Sequence, residues 1–293
     1  MIVSFRKSTQ ILPIYMPALF FNRGWIILRR LDFLLHLGYN YSNIPKNTVS
    51  CVLGSDWALG CCCVLYQSKW EENMMSARSL LELLLSFPKT VYFNLKVFRF
   101  KTAIKLPVVI SWKVKIRALA KGSVIVPQNC KTGSITIGFG GTSSMNVGTA
   151  EIDLSKGTVE FLGRAHFSRG VCLKNTGKLV IGDHFSANTN LRLTCAHEIT
   201  IEDHAMLGWN VVIRDADGHY IIENGAPKAN VGKIHIGKHV WLCSESHILK
   251  GVEIGNDCVV AYRSLVTSKF AGNNLMIAGM PAKVIKENIN WQV

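Results

Sequence analysis

Apolar residues recur at every sixth position in the C-terminal half of the chain. This series comprises Ile236, Leu242, Ile248, Ile254, Val260 and Val266. A second series of short side chains lies four places after each of the first five, at Val240, Ser246, Val252, Cys258 and Ser264. An α-helix requires apolar recurrence at about 3.6 residues and a half-buried strand at about 2.0, so a period of six indicates a different geometry.

A triangular coil accounts for one large and one small inward residue in every six. Each short parallel strand turns a corner after six residues, and three sides complete a turn of 18 residues, so that Ile236-Gly237 stacks on Ile254-Gly255. Only the stacking of turn on turn buries the apolar positions. We therefore predict an all-β, three-sided parallel solenoid.

The six-residue series continues upstream with two interruptions. It follows Phe161, Phe167, Leu173 and Leu179, slips by two to Ile181, Ala187, Leu193 and Ile199, and slips by two again to Ile201, Leu207 and Ile213. We predict that the solenoid covers residues 122–280. The segment 135–138 would open it, and the glycine-rich run 139–142 is interpreted as a turn.

The remaining residues lack the repeat. We interpret residues 1–73 as an N-terminal extension and hypothesise that it is a non-native start, with the functional chain beginning near Met74. Residues 74–121 are predicted to hold a short helix over Ser76–Leu85, capped by Ser76 and ended by Pro88, followed by a basic lead-in segment. Residues 281–293 are predicted to form a C-terminal tail.

Composition limits the class of protein. The 293 residues are 48% hydrophobic and 18% charged, which is enough to bury a substantial core. No apolar run approaches the ~18 residues of a membrane span, and the N-terminus lacks the order of a signal peptide. We expect a soluble cytoplasmic protein without an integral membrane segment. The nine cysteines, an odd number without a CxxC pair, favour reduced thiols.

The formal net charge of +14 is concentrated in one region. No acidic residue lies between Glu82 and Glu151, where ten basic residues occur: Lys89, Lys96, Arg99, Lys101, Lys105, Lys113, Lys115, Arg117, Lys121 and Lys131. Residues 113–117 alternate basic with apolar positions, which predicts the exposed face of a strand. The cluster is either a solvated surface or an attraction for an anionic ligand. Nucleic acid is not an expected partner, because no binding motif accompanies the charge.

The repeat stops for about twenty residues, over Arg214–Lys233, and this insertion contains Asp215-Ala216-Asp217-Gly218-His219. A solenoid tolerates an insertion at a corner, and such loops commonly carry function. Histidine titrates near neutrality and can take a proton from an attacking hydroxyl, which makes His219 a candidate general base. Either neighbouring carboxylate would fix the tautomer of its ring.

These segments resemble the hexapeptide-repeat acyltransferases, in the branch of the xenobiotic, maltose, galactoside, and capsular or sialic-acid O-acetyltransferases. The resemblance lies in residues 210–219, 236–241, 248–255, 264–267 and 278–285. It implies a left-handed parallel β-helix and a homotrimer with acetyl-CoA in a groove between neighbouring solenoids. It also implies transfer of an acetyl group to a hydroxyl of a saccharide acceptor, without a metal.

Site residues follow from the resemblance position by position. His219 and Trp241 correspond to catalytic positions, and Asp217 is counted with them because it is a carboxylate beside His219. Asn188 resembles the asparagine that holds the acceptor, and Asp215 is placed with it as substrate-binding. The positions expected to contact acetyl-CoA are Ser244, Tyr262, Thr267, Lys283 and Lys286.

Two alternatives and two departures remain open. A phenol at Tyr262 stands where the family commonly has a small residue, and Ser268 stands where a lysine is usual. The fold could also serve as a non-catalytic scaffold or glycan-binding module. A γ-carbonic-anhydrase-like zinc enzyme is a further alternative, because His184 to His219 and His204 to His239 each span 35 residues. The third histidine that such a site requires is missing.

Overall fold

The computed structural model describes residues 3–7, 10–14, 80–142 and 146–292. The chain divides into two units, Met1–Tyr66 and Gln67–Val293. In the first, β1 (Val3–Lys7) and β2 (Gln10–Ile14) form an antiparallel hairpin that the sequence did not predict. The rest of the segment interpreted as a non-native extension lies outside the described residues. Within the described ranges, no helix is both long and apolar enough to cross a membrane.

The second unit is a left-handed parallel β-helix with three sheets. Sheet I contains β3 (Val108–Ile110), β6 (Ile135–Ile137), β9 (Ala165–Phe167), β12 (Phe185–Ala187), β15 (Met206–Leu207), β20 (Trp241–Leu242), β23 (Val259–Val260), β25 (Met276–Gly279) and β26 (Ala282–Lys286). Sheet II contains β4 (Lys115–Leu119), β7 (Glu151–Leu154), β10 (Cys172–Asn175), β13 (Arg192–Cys195), β16 (Val212–Arg214), β21 (His247–Ile248) and β24 (Leu265–Val266). Sheet III contains β5 (Val124–Ile125), β8 (Thr158–Phe161), β11 (Lys178–Ile181), β14 (Glu198–Ile201), β19 (Ile234–Ile236) and β22 (Glu253–Ile254).

Identical positions stack as the six-residue series predicts. Ile236 pairs with Ile254 in parallel strands, and both are fully buried. The two slips of the series have a structural cause, because Leu179 and Ile181 both point inward from the four-residue strand β11. The turns at these positions therefore take 20 residues instead of 18, as the pairing of Ile181 with Ile201 shows.

Two corners of the coil place residues in the left-handed region of backbone space. His184, His204 and His239 have φ values of 57°, 60° and 52° at the corner between sheets III and I. Asn190 and Asn210 have φ values of 64° and 56° at the corner between sheets I and II. Asn and His are enriched at positive φ, so these polar residues are suited to turning the chain. The 35-residue spacing from His204 to His239 is one turn of the coil enlarged by the loop.

Parallel pairing begins before the predicted boundary at residue 122. β3 already pairs with β6, and β4 with β7, so the segment predicted as a basic lead-in forms the first turn. The six-residue count missed it because Val108 pairs with Ile135 and Ile135 with Ala165, which are turns of 27 and 30 residues. A register shift between Ile116 and Ala118 further obscures the pattern. The predicted strand of alternating basic residues is confirmed for Lys115 and Arg117, which are exposed in β4, whereas Lys113 lies in the turn before it.

A helix, α1, covers 80–97 among the described residues and is followed by α2 (Phe100–Ala103). The prediction that Pro88 ends the helix is wrong. Pro88 removes one N–H group from the helix interior, but it lies on the exposed side, where water can solvate the freed carbonyl of Leu84. Ser86 and Thr90, before and after it, are both anchored on the coil.

The buried face of α1 carries a row of polar residues, beside the buried Phe93 and Val97, and this row seals the edge of sheet I. Ser86 Oγ accepts from the Trp112 N–H (3.0 Å), and Thr90 Oγ1 accepts from the Ile110 N–H (3.1 Å). The Asn94 side chain donates to the Val108 carbonyl (2.6 Å) and accepts from its N–H (3.3 Å). Four helix residues rise about 6.0 Å and two strand residues about 6.6 Å, so the two periods match.

The segment predicted as a C-terminal tail returns onto the coil. β26 pairs antiparallel with β25, and the chain then folds back until Trp291 is buried. The indole of Trp291 stacks on the His239 ring at 4.1 Å between centroids and donates to the His239 carbonyl at 2.9 Å. The tail is therefore part of the packed surface beside sheet I.

Replacement of Asn94 by alanine tests how α1 seals the edge. Asn94 is fully buried, so Asn94→Ala leaves the Val108 N–H and C=O groups without partners. We expect the free energy of unfolding, measured by urea denaturation, to fall by about 1–3 kcal/mol for this loss. Leu95→Ala, at the exposed neighbouring position, is the control and should stay within about 0.5 kcal/mol. An Asn94→Ala protein as stable as this control would contradict the assignment.

Candidate functional site

A cleft of about 410 Å³ crosses the outer face of sheet I and the corner that leads to sheet II. It is lined by Gly141, His166, Ser168, Ser186, Asn188, Met206, Leu207, Gly208, Trp209, Trp241 and Ser244. Three residues predicted from the sequence, Asn188, Trp241 and Ser244, are thus brought together. The cleft follows the stacking, because His166, Ser186, Met206 and Trp241 pair in one outward column.

The two ends of the Asn188 side-chain amide differ: the oxygen is hydrogen-bonded within the chain, and the nitrogen is available to a ligand. Its Oδ1 accepts from the Thr142 N–H (3.1 Å) and the Thr189 N–H (2.8 Å), which orients the amide. For its Nδ2 group, no hydrogen bond is found among the described residues of this chain. Two donors of a fixed side chain therefore remain for a ligand in the cleft.

Trp241 lies at the upper end of the cleft, half-buried. Trp291 packs against it with ring centroids 5.8 Å apart and planes tilted by 40°, so the returning C-terminal segment supports its indole from one side. The indole N–H of Trp241 has no acceptor within the described part of the chain. Trp209 adds a second indole to the wall, so the cleft offers two aromatic surfaces next to amide and hydroxyl groups.

Ser244 contributes to the cleft through its backbone position more than through its hydroxyl. The residue is buried, and its Oγ accepts from the Trp209 N–H at 3.2 Å. Gly208 packs directly beneath it, since a Cβ at Gly208 would lie 2.5 Å from the Ser244 nitrogen. Glycine is required at this close approach, and it leaves the floor of the cleft open.

His166 is a cleft residue that the sequence analysis missed. Its Nδ1 bonds to Thr136 Oγ1 (2.7 Å) and its Nε2 to Ser168 Oγ (3.2 Å). Burial lowers the pKa of His166 below its usual value of 6.5, so the neutral ring is favoured. A signal for His166 was present in the sequence. In sheet I an outward residue directly precedes each inward residue of the series, and His166 holds this outward position just as Ser186, Met206 and Trp241 do in later turns.

The glycine-rich run forms the rim of this cleft. Gly141 has a φ of 94°, and a Cβ there would lie 2.3 Å from Thr189 Oγ1, so its interpretation as a turn is confirmed. Arg169 Nε donates to the Gly140 carbonyl at 2.7 Å and holds the run down. The glycine-rich run also forms one wall of the cleft, which only the tertiary structure could reveal.

The loop that carries His219 leaves the coil at a different corner, between β16 of sheet II and β19 of sheet III. It contains a short antiparallel hairpin of β17 (Ile222–Glu223) and β18 (Ala226–Pro227). The His219 side chain is exposed, and its ring has no partner among the described residues. No residue of the loop lines the cleft within the described chain.

The two carboxylates near His219 are engaged elsewhere. Asp215 is fully buried, and its oxygens accept from the backbone N–H groups of Ala196 (2.7 Å) and His197 (2.8 Å). It therefore fastens the start of the loop to the preceding turn. Asp217 forms an ion pair with Lys250 at 2.8 Å. Neither carboxylate is hydrogen-bonded to His219 in the described chain, so the prediction that one of them fixes its tautomer has no contact to support it.

The residues predicted to contact acetyl-CoA, apart from Ser244, lie on the surface beyond the cleft. Tyr262 is exposed, and the Arg263 guanidinium lies 5.6 Å from the centre of its ring. Thr267 follows β24 and is exposed. Lys283 and Lys286 lie exposed on β26, opposite Ala278 and Met276 of β25. These four thus lie outside the lining of the cleft, although Tyr262 is one turn beyond Ser244, where the Arg263 N–H donates to the Ser244 carbonyl at 3.1 Å.

Among the described residues, no group of three or more His, Cys, Asp or Glu side chains is arranged to hold a metal ion. Three of the histidines that prompted the zinc alternative, His184, His204 and His239, lie at corners of the coil, whereas His219 lies in the inserted loop. His184 and His204 stack on each other with centroids 4.7 Å apart, and His239 stacks on Trp291. The 35-residue spacing from His204 to His239 is one enlarged turn of the coil, whereas the equal spacing from His184 to His219 is not a turn, because His184 stacks on His204, 20 residues on.

The buried His166 predicts a pH dependence of stability. Because its pKa is lowered in the folded state, the unfolded chain binds more protons as the pH falls below about 6.5, and folding is disfavoured there. We expect His166→Gln to remove part of the stability loss seen between neutral and mildly acidic pH in thermal unfolding. The same substitution at exposed His197 is the control. An unchanged pH profile in His166→Gln would refute the role of this ring.

Comparisons with known proteins agree with the coil geometry. Residues 233–268 match the family model described as bacterial transferase hexapeptide (six repeats). The chain is 28% identical over 199 residues to an uncharacterized 24.8 kDa protein in the cps region of Klebsiella pneumoniae, covering 67% of this chain and 86% of that protein.

Two further relatives carry named activities. Over 109 residues the chain is 34% identical to the galactoside O-acetyltransferase of Escherichia coli (strain K12), covering 36% of this chain and 53% of that enzyme. Over 120 residues it is 30% identical to a proposed colanic acid biosynthesis acetyltransferase of the same organism, covering 39% of this chain and 62% of that protein. The chain thus spans between half and two thirds of these two relatives. The matched repeats and the three-sided coil together confirm the predicted resemblance: the chain carries hexapeptide repeats and is similar to the transferases of that family.

Proposed function

We propose that this protein transfers an acetyl group from acetyl-CoA to a hydroxyl group of a saccharide, with His219 as the general base. The observation that carries the proposal is the cleft on sheet I, which gathers Asn188, Trp241 and Ser244 in one place. Indole faces pack against the C–H faces of sugar rings, and amide donors bond to sugar hydroxyls. The repeats shared with O-acetyltransferases supply the reaction class.

The proposed chemistry is a direct transfer. His219 takes the proton of the acceptor hydroxyl while its oxygen attacks the thioester carbonyl carbon of acetyl-CoA. The Trp241 indole N–H, which is free in the described chain, donates to the oxyanion that develops on the carbonyl oxygen. The carbon–sulfur bond then breaks, and His219 returns the proton to the sulfur of CoA.

The acceptor and the donor occupy different parts of the surface in this proposal. Asn188 orients the acceptor hydroxyl in the cleft. The nucleotide end of acetyl-CoA lies toward Thr267, Lys283 and Lys286, where exposed ammonium groups suit phosphates. Tyr262 points outward, so its bulk leaves the pantetheine path open near Ser244. The names of two relatives favour a galactoside or a polysaccharide unit as the acceptor.

A site shared between subunits follows from the positions of its parts. The loop with His219 leaves one corner of the prism, whereas the cleft occupies another corner and the face beside it. In a homotrimer with heterologous contacts, the loop of one protomer would complete the cleft of its neighbour. The absence of any partner for the His219 ring among the described residues supports this arrangement.

Replacement of His219 tests the general base. We expect His219→Ala to reduce acetyl transfer about 10²- to 10⁴-fold while leaving the oligomer intact. The measurement is CoA thiol release with a panel of mono- and oligosaccharides, with size exclusion as the check on assembly. His197→Ala, at an exposed histidine of the coil, should retain wild-type turnover. Near-normal turnover in His219→Ala would remove this histidine from the mechanism, and no thiol release by the wild type would favour a scaffold.

Complementation between two inactive variants tests whether the site is shared. His219→Ala and Asn188→Ala chains are each expected to be inactive alone. When they are co-expressed in one oligomer, a shared site lets about a quarter of the interfaces combine an intact His219 with an intact Asn188. Recovery of activity to that level indicates a site between subunits. No recovery in verified mixed oligomers would place both residues in the same chain.

A further inference from the structure

The outward side of α1 is unusually apolar. Six large side chains form what we call the apolar face of α1, namely Leu80, Leu81, Leu84, Leu85, Phe87 and Leu95. All are exposed, with Leu84 at 63% and Leu80 at 59%. Together they cover more of the helix circumference than the ~100° stripe that an ordinary amphipathic helix buries. An exposed contiguous apolar patch of this kind indicates a binding surface.

The helix cannot hide this face by turning. Its opposite side is hydrogen-bonded to β3 through the buried Thr90 and Asn94, and to Trp112, just beyond β3, through the buried Ser86. A rotation that buried the leucines would break these hydrogen bonds and leave polar groups of an edge strand unpaired, at a cost of about 1–3 kcal/mol for each. The apolar face is therefore fixed outward by the way in which α1 closes the coil.

Basic side chains follow the apolar face directly. Lys96, Arg99 and Lys101 are exposed and have no ion-pair partner among the described residues. Phe100, at 73%, and Ile104, at 59%, are exposed in the same stretch. The chain has no acidic residue between Glu82 and Glu151 to neutralise this charge. The surface thus combines apolar side chains with uncompensated positive charge.

We propose that the apolar face of α1 and the adjoining basic residues form a docking surface for an anionic lipid bilayer. Leucine and phenylalanine side chains enter the boundary of the acyl chains, while Lys and Arg contact anionic headgroups. The 18 residues of α1 lie flat on the surface over about 27 Å, because the inward side remains bonded to β3. An isologous contact, in which this face meets the same face of a second copy, fits less well because it would bring like charges together.

Vesicle sedimentation with the full chain tests this surface. Vesicles of phosphatidylcholine alone are compared with vesicles that also contain phosphatidylglycerol, at low and high salt. We expect binding to the anionic vesicles that weakens with salt. Leu84→Glu should lower the partition coefficient at least tenfold. Lys96→Glu and Lys101→Glu should each lower it about fivefold or more, on anionic vesicles only. Ile222→Glu, which changes an exposed apolar residue of the β17–β18 hairpin in the inserted loop, should bind as the wild type does.

Three results would overturn the proposal. The wild type does not bind anionic vesicles, or all variants bind equally, or Leu84→Glu reduces the mass measured by light scattering without any vesicle binding. The last result would show that the face joins copies of the chain. Sedimentation does not measure acetyl transfer, so its outcome is independent of the proposed enzymatic function.

Discussion

The interior of this prism is so narrow that each inward residue must stack on its counterpart in the next turn. Phe161, Ile181, Ile201, Ile236 and Ile254 form one such column, and every member is buried. A single turn has no partner for its apolar side and cannot fold alone. Each large aliphatic side chain that is fully buried contributes roughly 1.5–3 kcal/mol, so stability accumulates along the stack. The parallel ladders of the three sheets hold the columns in line.

The same constraint builds the outer surface. Because inward residues stack, the outward residues between them stack too, and His166, Ser186, Met206 and Trp241 become neighbours although they span 76 sequence positions. The corners obey a looser rule, since a longer connection there leaves the strands aligned. The turn of 35 residues arises in this way, whereas the turns of 20 arise from four-residue strands with two inward residues, and both coexist with turns of 18. The cleft is formed mainly by stacked outward residues on one face of the coil, whereas the loop with His219 is an insertion at a corner.

The ends of a coil pose a separate physical problem, because an edge strand exposes unpaired N–H and C=O groups. Here α1 solves it with a polar stripe, in which Ser86, Thr90 and Asn94 substitute for a neighbouring strand. The inward side of α1 is therefore mixed, with these polar groups beside the buried Phe93 and Val97, while its outward side is apolar. The apolar surface and the basic residues that follow it lie at the same end of the coil.

The sequence alone determined the coil, because a period of six is local and counting it requires no knowledge of neighbouring chains. It also located the insertion with His219 and identified Asn188, Trp241 and Ser244, which the structure places in one cleft. It missed the first turn, where long connections and a register shift hide the period. It missed His166, the continuation of the helix through Pro88, and the burial of Asp215. Those outcomes depend on which groups meet across different turns, and only the tertiary structure brings a helix side chain to a strand edge or a carboxylate to the backbone of another turn.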